Sequence, residues 1–522
     1  MNWNSYRPYF ILSIIGIVLL FFHLDKTPLY ILDEVKNATC ALEMKDKGEW
    51  IVPTFNNELR TDKPVLHYYF MQLGYLFFGA NAFGARFFSA CFGLALVLLS
   101  FYFTARILGK TTAWYQSILL LASLQFNIQF RLAVPDPYLI VWLYLTFVFL
   151  YLAIEEQKGA RFAYVFAALG FLTKGLIAVV FPGMVVLIYL LWTKKFTIPV
   201  LKTLRIPEGI LIFLLIGLPW YIAVGIQTQG EWLTGFFLKH NLSRYTETME
   251  GHNGFFLLPF LLLFVALLPF SVFSFPATKK VLNKEAVPFT KFAFVVVLVV
   301  GLFFSFSKTM LLSYIGPAIP FLAIILAYQI EKIKTQGTGI GNNLILIFLL
   351  LISIAIPVAS FFALEDQVSL QKYSNLAFCF LPIPMGSLVA ILFWKKKRKN
   401  ASLYSIAGGW GITVILVFSV VLPTIFSENP VNKSQQIWKD YDTVVAYKQF
   451  NPAFVWSRQK AIPVFHDLAS LKNGLKEKDS KVLIISRSVY KDELLQLEQS
   501  AVILEHQDLF ESSRTILISV KN

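Results

Sequence analysis

Long apolar segments alternate with short polar ones along the first 425 residues of the chain. A membrane-spanning helix needs about 20 consecutive, mostly apolar residues. We therefore predict about thirteen such helices on this length criterion. They lie near residues 9–24, 84–107, 112–131, 137–154, 160–173, 176–192, 207–226, 255–275, 288–306, 312–330, 343–363, 375–394 and 403–425. The stretch 160–192 allows two interpretations, either two short helices broken at Lys174-Gly175 or one long span.

The pattern changes beyond residue 430. Short apolar runs at 461–465, 481–486, 501–504 and 515–520 are separated by helix-like stretches at 466–478 and 489–499. This alternation predicts a small α/β domain with a partly parallel sheet. We expect two domains: a transmembrane domain over 1–428, with a long first outer loop at 25–83, and an α/β domain over 429–522 on the outer side.

The composition supports a membrane protein. Hydrophobic residues make up 57% of the chain, charged residues only 15%, and the mean hydropathy is +0.63. A soluble domain is about half apolar and about a quarter charged, so we predict an all-α polytopic membrane protein. Three well-separated cysteines, Cys40, Cys91 and Cys379, favour neither a disulfide framework nor a zinc site. We interpret them as packing residues.

The distribution of charge predicts the orientation. With the N-terminus in the cytoplasm, the inner loops carry a basic surplus close to the net charge of the whole chain, +15. This is the pattern that the positive-inside rule describes, and it does not indicate nucleic-acid binding. The basic run Lys395–Lys399 is then a loop between two spans. We predict a bacterial inner-membrane protein whose C-terminal domain and active site face the periplasm.

Unusual polar residues collect in the outer loops. The first loop contains Asp33, Glu34, Lys36, Asp62 and Lys63; later outer turns contain Asp136, Lys174, His240, Arg244, His252, Lys308 and Tyr314. A charged residue at membrane depth costs about 2.5–3.5 kcal/mol on insertion scales. Any one of them could be a snorkelling anchor or a helix-end ion pair. As a set on one side of the membrane, they indicate a functional site.

This set of residues suits a reaction between a lipid phosphate and a hydroxyl group. Lysine and arginine bind phosphate and stabilise the charge on a departing phosphate. A carboxylate within hydrogen-bonding reach of a hydroxyl can serve as its general base. The sequence has no GxxxxGK[ST] phosphate loop for ATP. We therefore expect an activated lipid to be the source of energy.

Several short motifs occur in an order that resembles a known superfamily. They are Asp33-Glu34, Gly48–Pro53, Asp62-Lys63-Pro64, Pro135-Asp136-Pro137, Leu172–Gly175, Pro219-Trp220-Tyr221 and Ser307-Lys308 followed by Tyr314. The chain resembles the protein O-mannosyltransferase superfamily of membrane-embedded GT-C glycosyltransferases. The most similar branch comprises the bacterial transferases that add 4-amino-4-deoxy-L-arabinose to lipid A.

The resemblance implies a GT-C fold and an inverting hexosyl- or pentosyltransferase. The sugar would come from a polyprenyl phosphate, such as undecaprenyl phosphate. The acceptor would be lipid A or a similar glycolipid, another envelope glycan or a protein hydroxyl. The resemblance makes Asp33 the catalytic carboxylate; we also predict catalytic roles for its neighbour Glu34 and for Asp136, which the resemblance puts near the acceptor or a divalent ion. It places five residues near the donor phosphate: Lys36, Lys63, Arg244, Lys308 and Tyr314.

Alternatives remain open for several of these residues. Asp33 could serve only as a helix N-cap, and Lys63 as a loop charge before Pro64. A divalent metal ion held by Asp62, His240 and His252 is an alternative; no other cofactor is indicated.

The chain also departs from the family's motifs. The usual DExRY reads Asp33-Glu34-Val35-Lys36-Asn37, the usual EKPP reads Asp62-Lys63-Pro64-Val65, and Met310 and Leu312 replace a lysine and a proline. Because Asp33 is kept and Lys36 keeps the positive charge of the family's arginine, these changes leave the reaction class in place and the sugar open. The alternative function is a transporter or flippase of a lipid-linked sugar. Transporters commonly have internal repeats and midplane charges, and we find no repeat between the two halves.

Overall fold

A computed structural model describes residues 3–242, 255–283, 286–307, 310–336, 340–367, 369–476 and 481–520. The helices of its first half are α1 (Trp3–Phe21), α2 (Leu32–Lys47), α3 (Leu66–Phe78), α4 (Ala82–Leu108), α5 (Lys110–Ala122), α6 (Leu124–Gln129), α7 (Asp136–Glu156), α8 (Ala160–Lys174), α9 (Ile177–Trp192), α10 (Ile198–Thr203), α11 (Ile206–Gln227) and α12 (Glu231–Thr234). A π-helix, Gly235–Leu242, continues α12, and the strands β1 (Thr54–Phe55) and β2 (Glu58–Leu59) form a small hairpin in the first outer loop.

The second half continues with α13 (Leu258–Ala266), α14 (Ser274–Val281), α15 (Pro288–Ser305), α16 (Ile319–Gln336), α17 (Ile340–Asp366), α18 (Pro382–Lys395), α19 (Lys399–Leu416), α20 (Leu422–Ser427), α21 (Pro430–Lys433) and α22 (Gln435–Lys439). Shorter 3-10 helices cover Phe270–Phe273, Leu312–Ala318 and Gln371–Phe380, and a π-helical turn covers Val417–Val421.

The helical membrane fold is confirmed, but the count of thirteen spans is not. Within the described residues, eight helical segments are long and apolar enough to cross a membrane. They are Ala82–Leu108, Asp136–Glu156, Ile198–Gln227, Pro288–Ser305, Leu312–Ile333, Leu344–Asp366, Gln371–Lys395 and Lys399–Ser427. Two further apolar helices, Tyr6–Phe21 and Ile177–Trp192, are shorter.

Several predicted spans are interrupted by residues that favour breaks. Ser123 divides the predicted segment 112–131, because its hydroxyl caps α6 by accepting a hydrogen bond from the Phe126 amide at 3.0 Å. Pro269 follows α13 inside the predicted segment 255–275, where a proline cannot continue the helical hydrogen bonding. Between α8 and α9 the chain turns at Gly175, which has a φ of 83°. The two-helix interpretation of 160–192 is therefore the one observed.

Helix α7 forms the centre of the bundle. It packs against α4, α8 and α9 and against the 3-10 helix Leu312–Ala318, and 89% of its most apolar window is buried. A helix that is apolar on every side suits such a central position. Asp136, its first residue, consequently lies at one end of this central helix.

The C-terminal region contains a five-stranded mixed sheet. Its strands are β3 (Thr443–Tyr447), β4 (Val464–Phe465), β5 (Val482–Arg487), β6 (Ser500–Gln507) and β7 (Arg514–Val520), with the short helices α23 (Ala453–Arg458), α24 (Leu468–Lys476) and α25 (Lys491–Leu494) between them and a 3-10 turn at Ser488–Tyr490. The order is β4-β3-β5-β7-β6, with β3 parallel to β4 and β5 and the other pairs antiparallel. This confirms the predicted partly parallel sheet; the division at residue 428 stays a prediction.

The sheet is attached to the first outer loop by a buried polar contact. The Tyr30 hydroxyl donates to Asp508 Oδ1 at 3.1 Å and accepts from Asn451 Nδ2 and from the Leu509 amide, both at 3.2 Å. A second contact joins the Asn56 side chain to the backbone of Ile462 through two hydrogen bonds of 2.9 and 2.7 Å. The sheet thus braces the loop that carries Asp33.

Candidate active site

Asp33 lies in the first turn of α2. The helix begins at Leu32, and its N-cap residue, Ile31, makes no side-chain capping bond. Asp33 is therefore not an N-cap, which removes one alternative for this residue. An acid in the first helical turn is favoured by the helix dipole. Lys36 follows three residues later, so the two side chains project from neighbouring positions of one helix face.

The Glu34 side chain is buried and pairs with Arg86. Its carboxylate accepts from Arg86 Nε at 2.7 Å and from Arg86 Nη2 at 2.8 Å, and it accepts from the backbone amide of Ala133 at 2.9 Å. Glu34 and Arg86 are 1% and 3% exposed. A bidentate arginine–carboxylate pair fixes orientation strongly. These are the contacts of a positioning residue, since they join α2, α4 and the turn before Asp136.

The loop after β2 brings a second group of charges beside α2. Arg60 is 4% exposed and donates to Asn37 Oδ1 at 3.0 Å and to Asp62 Oδ2 at 2.9 Å. Asp33 acts electrostatically on Arg60, and Lys63, which is 6% exposed, acts on Asp62. The loop thus adds Arg60, Asp62 and Lys63 to Asp33, so that two acids and two bases are grouped near the start of α2.

Neighbouring charges shift the pKa values of Asp62 and His67. Burial raises the pKa of Asp62, but the nearby charges of Arg60, Lys63 and His240 outweigh burial and hold the pKa well below its usual range. Burial and the same two cations of the loop hold the pKa of His67 well below its ordinary value. Asp62 is therefore ionised and His67 neutral at physiological pH.

The π-helix Gly235–Leu242 lies against both the first loop and the third outer turn. A Cβ on Gly235 would meet the Thr61 hydroxyl oxygen at 2.6 Å, and a Cβ on Gly175 would meet the Phe236 ring at 2.5 Å. Trp232, just before this helix, donates from Nε1 to the Arg60 carbonyl at 2.8 Å. The glycine at 235 permits this close approach. The π-helix therefore joins two outer segments that are far apart in sequence.

A second group of functional side chains forms around Asp136. Its Oδ1 atom lies 2.6 Å from Lys174 Nζ, and these side chains are 10% and 13% exposed. The ammonium of Lys174 also lies 4.9 Å from the centroid of the Tyr314 ring, a cation–π contact. Tyr314 stacks on Phe304 with ring centroids 5.0 Å apart. Three outer turns therefore meet here.

The described residues thus form two charged groups joined by the π-helix. One contains Asp33, Arg60, Asp62, Lys63 and His240; the other contains Asp136, Lys174 and Tyr314. Arg244, His252 and Lys308 lie outside the described residues. Within the described part of the chain, no three His, Cys, Asp or Glu side chains are grouped as metal ligands would be.

Sequence reasoning did not single out Arg60 or Arg86, and it included Lys174 in the functional set without a specific role. Arg60 could have been singled out, because it stands two residues before Asp62, the first residue of the Asp62-Lys63-Pro64 motif. Lys174 was recognised as a charged residue at a span end. Arg86 gave little signal, since a single arginine near the start of an apolar helix resembles a snorkelling anchor.

Comparisons with known proteins agree with this architecture. Residues 62–222 match the family described as dolichyl-phosphate-mannose-protein mannosyltransferase. The chain is 26% identical to an undecaprenyl phosphate-alpha-4-amino-4-deoxy-L-arabinose arabinosyl transferase of Shewanella sediminis, over 90% of this chain and 88% of the relative. A relative of the same name from Pseudomonas savastanoi is 31% identical, over 60% of this chain and 59% of its own length.

Solved structures share the fold. The crystal structure of ArnT from Cupriavidus metallidurans bound to undecaprenyl phosphate superposes with a TM-score of 0.83 at 18% identity, over 99% of this chain and 98% of that one. The oligosaccharyltransferase of Archaeoglobus fulgidus superposes with a TM-score of 0.50 at 12% identity, over 94% of this chain and 70% of that one.

Proposed function

We propose that the chain is a member of the GT-C superfamily of multi-pass membrane glycosyltransferases and that it transfers a sugar from undecaprenyl phosphate to a hydroxyl-bearing acceptor in the periplasm. The named relatives and the fold support a polyprenyl-phosphate donor. They give no support to the transporter alternative. The inner membrane is the proposed location, with the site on the outer face.

The observation that carries this proposal is the meeting of Asp33, Asp62 and Lys63 beside the buried Arg60. An acid in the first turn of a helix can accept a proton, while neighbouring cations can hold a phosphate. Such an arrangement separates the two tasks of the reaction.

In the proposed reaction Asp33 takes the proton from the acceptor hydroxyl. The oxygen forms a bond to the anomeric carbon as the bond from that carbon to the phosphate oxygen breaks. The electron pair leaves with undecaprenyl phosphate, and attack from the opposite side inverts the anomeric configuration. Lys63 stabilises the charge that grows on the leaving phosphate, with Arg244, Lys308, Lys36 and Tyr314 as further proposed donor-site residues.

Asp136 is proposed to face the acceptor, oriented by Lys174. The acceptor would be lipid A or a similar glycolipid, another envelope glycan or a protein hydroxyl. The divalent ion remains a proposal without a step assigned to it. Asp62 already receives a hydrogen bond from Arg60, and the charge of His240 acts on it; Asp62, His240 and His252 are the proposed ligands of the ion.

A reconstitution experiment tests the reaction class. Purified protein in liposomes would receive undecaprenyl phosphate carrying a radiolabelled sugar, together with lipid A. We expect free undecaprenyl phosphate and labelled acceptor to appear in equal amounts by mass spectrometry. Labelled donor that crosses the bilayer with its sugar–phosphate bond intact would instead establish a flippase.

A further inference from the structure

Two neighbouring cavities lie on the side of the bundle formed by α1 and α19. The lower cavity has a volume of about 410 Å³ and is almost wholly apolar, with Ile14 and Val18 on one wall and Ile412 on the other. Val18 and Ile412 are 44% and 53% exposed, so the cavity opens toward the lipid. Its walls are therefore suited to an acyl chain.

Two glycines keep the lower cavity open. Gly408 and Gly411 lie on α19 and line it, and a Cβ on either residue would meet nothing within 4 Å. Neither glycine has a positive φ. Glycine is disfavoured inside a helix by about 1 kcal/mol relative to alanine. Neither the backbone conformation nor close packing requires glycine at these two positions. The absence of side chains there leaves space in the cavity.

The upper cavity, of about 120 Å³, is connected to the lower one through the hydrogen bond from Arg131 to the Leu19 carbonyl and carries positive charge. Arg86 and Arg131 line it together with one acid, Glu34, and with His23. Glu34 is fully engaged by Arg86, as described above. Arg131 is 4% exposed, and the exposed Asp25 acts on it only electrostatically. The cavity therefore holds two guanidinium groups against one buried carboxylate.

Arg131 stands at the junction of the two cavities. Its Nη atoms donate to the carbonyls of Leu19 at 2.8 Å and Phe22 at 2.6 Å, and its guanidinium lies 4.0 Å from the Phe418 ring centroid. Leu19 lines the lower cavity and Phe418 the upper one. The Arg131 Nε atom is buried and has no hydrogen-bond partner among the described residues. A buried donor without a partner indicates a missing acceptor.

We propose that these two cavities bind one anionic phospholipid of the outer leaflet. Its phosphate contacts Arg131, and one acyl chain occupies the groove beside Gly408 and Gly411. The lipid is not the sugar donor: Asp33 and Glu34 are consecutive on α2, so their side chains point about 100° apart. The proposed donor cations lie on the Asp33 side, while this phospholipid site lies on the Glu34 side.

The bound lipid would brace the structure behind the active site. Arg131 precedes Ala133, whose amide is held by Glu34. A phosphate at Arg131 would therefore steady the turn that leads to Asp136. The inference does not depend on the proposed transfer reaction, and lipid retention can be measured without turnover.

Native mass spectrometry of the full chain tests this site, with dioleoyl phosphatidylglycerol and dioleoyl phosphatidylcholine as competing probes. We expect one phosphatidylglycerol to be retained about fivefold over phosphatidylcholine, the ratio that about 1 kcal/mol for a single cation implies. Gly408→Leu, which fills the groove, should abolish this retention. Gly183→Leu is the matched control, because Gly183 also faces open space but lies on α9 beside a different cavity.

Two further variants distinguish loss of lipid binding from misfolding. Gly411→Leu should lose the lipid in the same way, and Arg131→Gln should lose the preference for phosphatidylglycerol. Thermal unfolding without added lipid identifies any variant that is simply unstable. Equal retention of both lipids by the wild type, or undiminished retention by the two filled variants, would overturn the proposal. So would displacement of the retained lipid by undecaprenyl phosphate.

Discussion

Asp136 and Lys174 form a largely buried ion pair, 2.6 Å long, between the start of α7 and the end of α8. The pair joins two outer turns, and Lys174 also contacts the Tyr314 ring. An ion pair in such a site positions both charges, but its net contribution to stability depends on keeping both partners.

The first prediction concerns this pair. Asp136→Asn or Lys174→Gln alone should lower the free energy of unfolding by about 3–5 kcal/mol, because each leaves one buried charge without its partner. The double variant should lose less than the sum of the two single losses. Thermal unfolding in detergent measures all three. Arg161 and Glu208 provide the control, since their pair is 62% and 46% exposed and solvent screens it, so that its loss should leave the unfolding temperature almost unchanged. Additive losses at Asp136 and Lys174 would contradict the coupling.

The second prediction concerns Asp62 and pH. Because its pKa is lowered in the folded protein, Asp62 contributes stability above its unfolded pKa and loses this contribution as pH falls toward the folded value. Asp62→Asn should therefore destabilise the protein by about 1.5–3 kcal/mol at pH 7, the range for a hydrogen bond to a charged group. The difference from wild type should persist at pH 5 and shrink as the pH falls below 3.8, the ordinary pKa of an aspartate side chain. A difference that grows on acidification would be inconsistent with this assignment.

The third prediction concerns the donor phosphate. Lys63→Gln should lower kcat/KM for the undecaprenyl-linked sugar by about 10–150-fold, the range that 1.5–3 kcal/mol for a charge-assisted contact implies. Lys63→Arg should retain part of the activity, since it keeps the charge. Lys47→Gln is the control, because Lys47 belongs to the same outer loop but is 42% exposed. Steady-state kinetics with varied donor measures the effect, and equal losses in Lys63→Gln and Lys47→Gln would exclude a specific phosphate contact.

The fourth prediction concerns the brace between Tyr30 and the C-terminal sheet. Tyr30→Phe removes a buried hydroxyl that has three partners, so Asn451 and Asp508 each lose a hydrogen bond. We expect a loss of about 1–3 kcal/mol and faster hydrogen exchange in α2 and in residues 508–515. Exchange measured by mass spectrometry should leave α17 unchanged. Unaltered exchange in α2 would show that the sheet does not brace the first loop.

The membrane helices could be predicted from the sequence where one apolar run forms one helix. The predicted segments 84–107 and 137–154 correspond closely to Ala82–Leu108 and Asp136–Glu156. In lipid, an uninterrupted helix is favoured because it satisfies its backbone hydrogen bonds internally. The segment 112–131 was predicted as one span, yet Ser123 caps a new helix within it. Strand β3, Thr443–Tyr447, was missed, although it is as long as the predicted run at 461–465.

The site could be predicted only in part. The sequence indicated which residues are chemically unusual in loops on the outer side of the membrane, but not which of these residues contact each other. Glu34 and Arg86 are 52 residues apart, and nothing in either local pattern distinguishes an ion pair from two separate anchors. Their pairing depends on how α2 and α4 pack. The roles assigned to Asp33, Lys63 and Asp136 remain predictions until they are measured.

The most direct test of the proposed mechanism is single-turnover sugar transfer by Asp33→Asn in proteoliposomes, with Asp46→Asn as the matched change on the same helix. Asp46 is 59% exposed at the far end of α2. Loss of a general base should slow sugar transfer by the Asp33 variant by about 10²–10⁴-fold. The affinity of this variant for the donor should stay within about twofold of wild type. The Asp46 variant should transfer sugar within about twofold of the wild-type rate, as expected for a surface change. Transfer by Asp33→Asn at the wild-type rate would contradict the account.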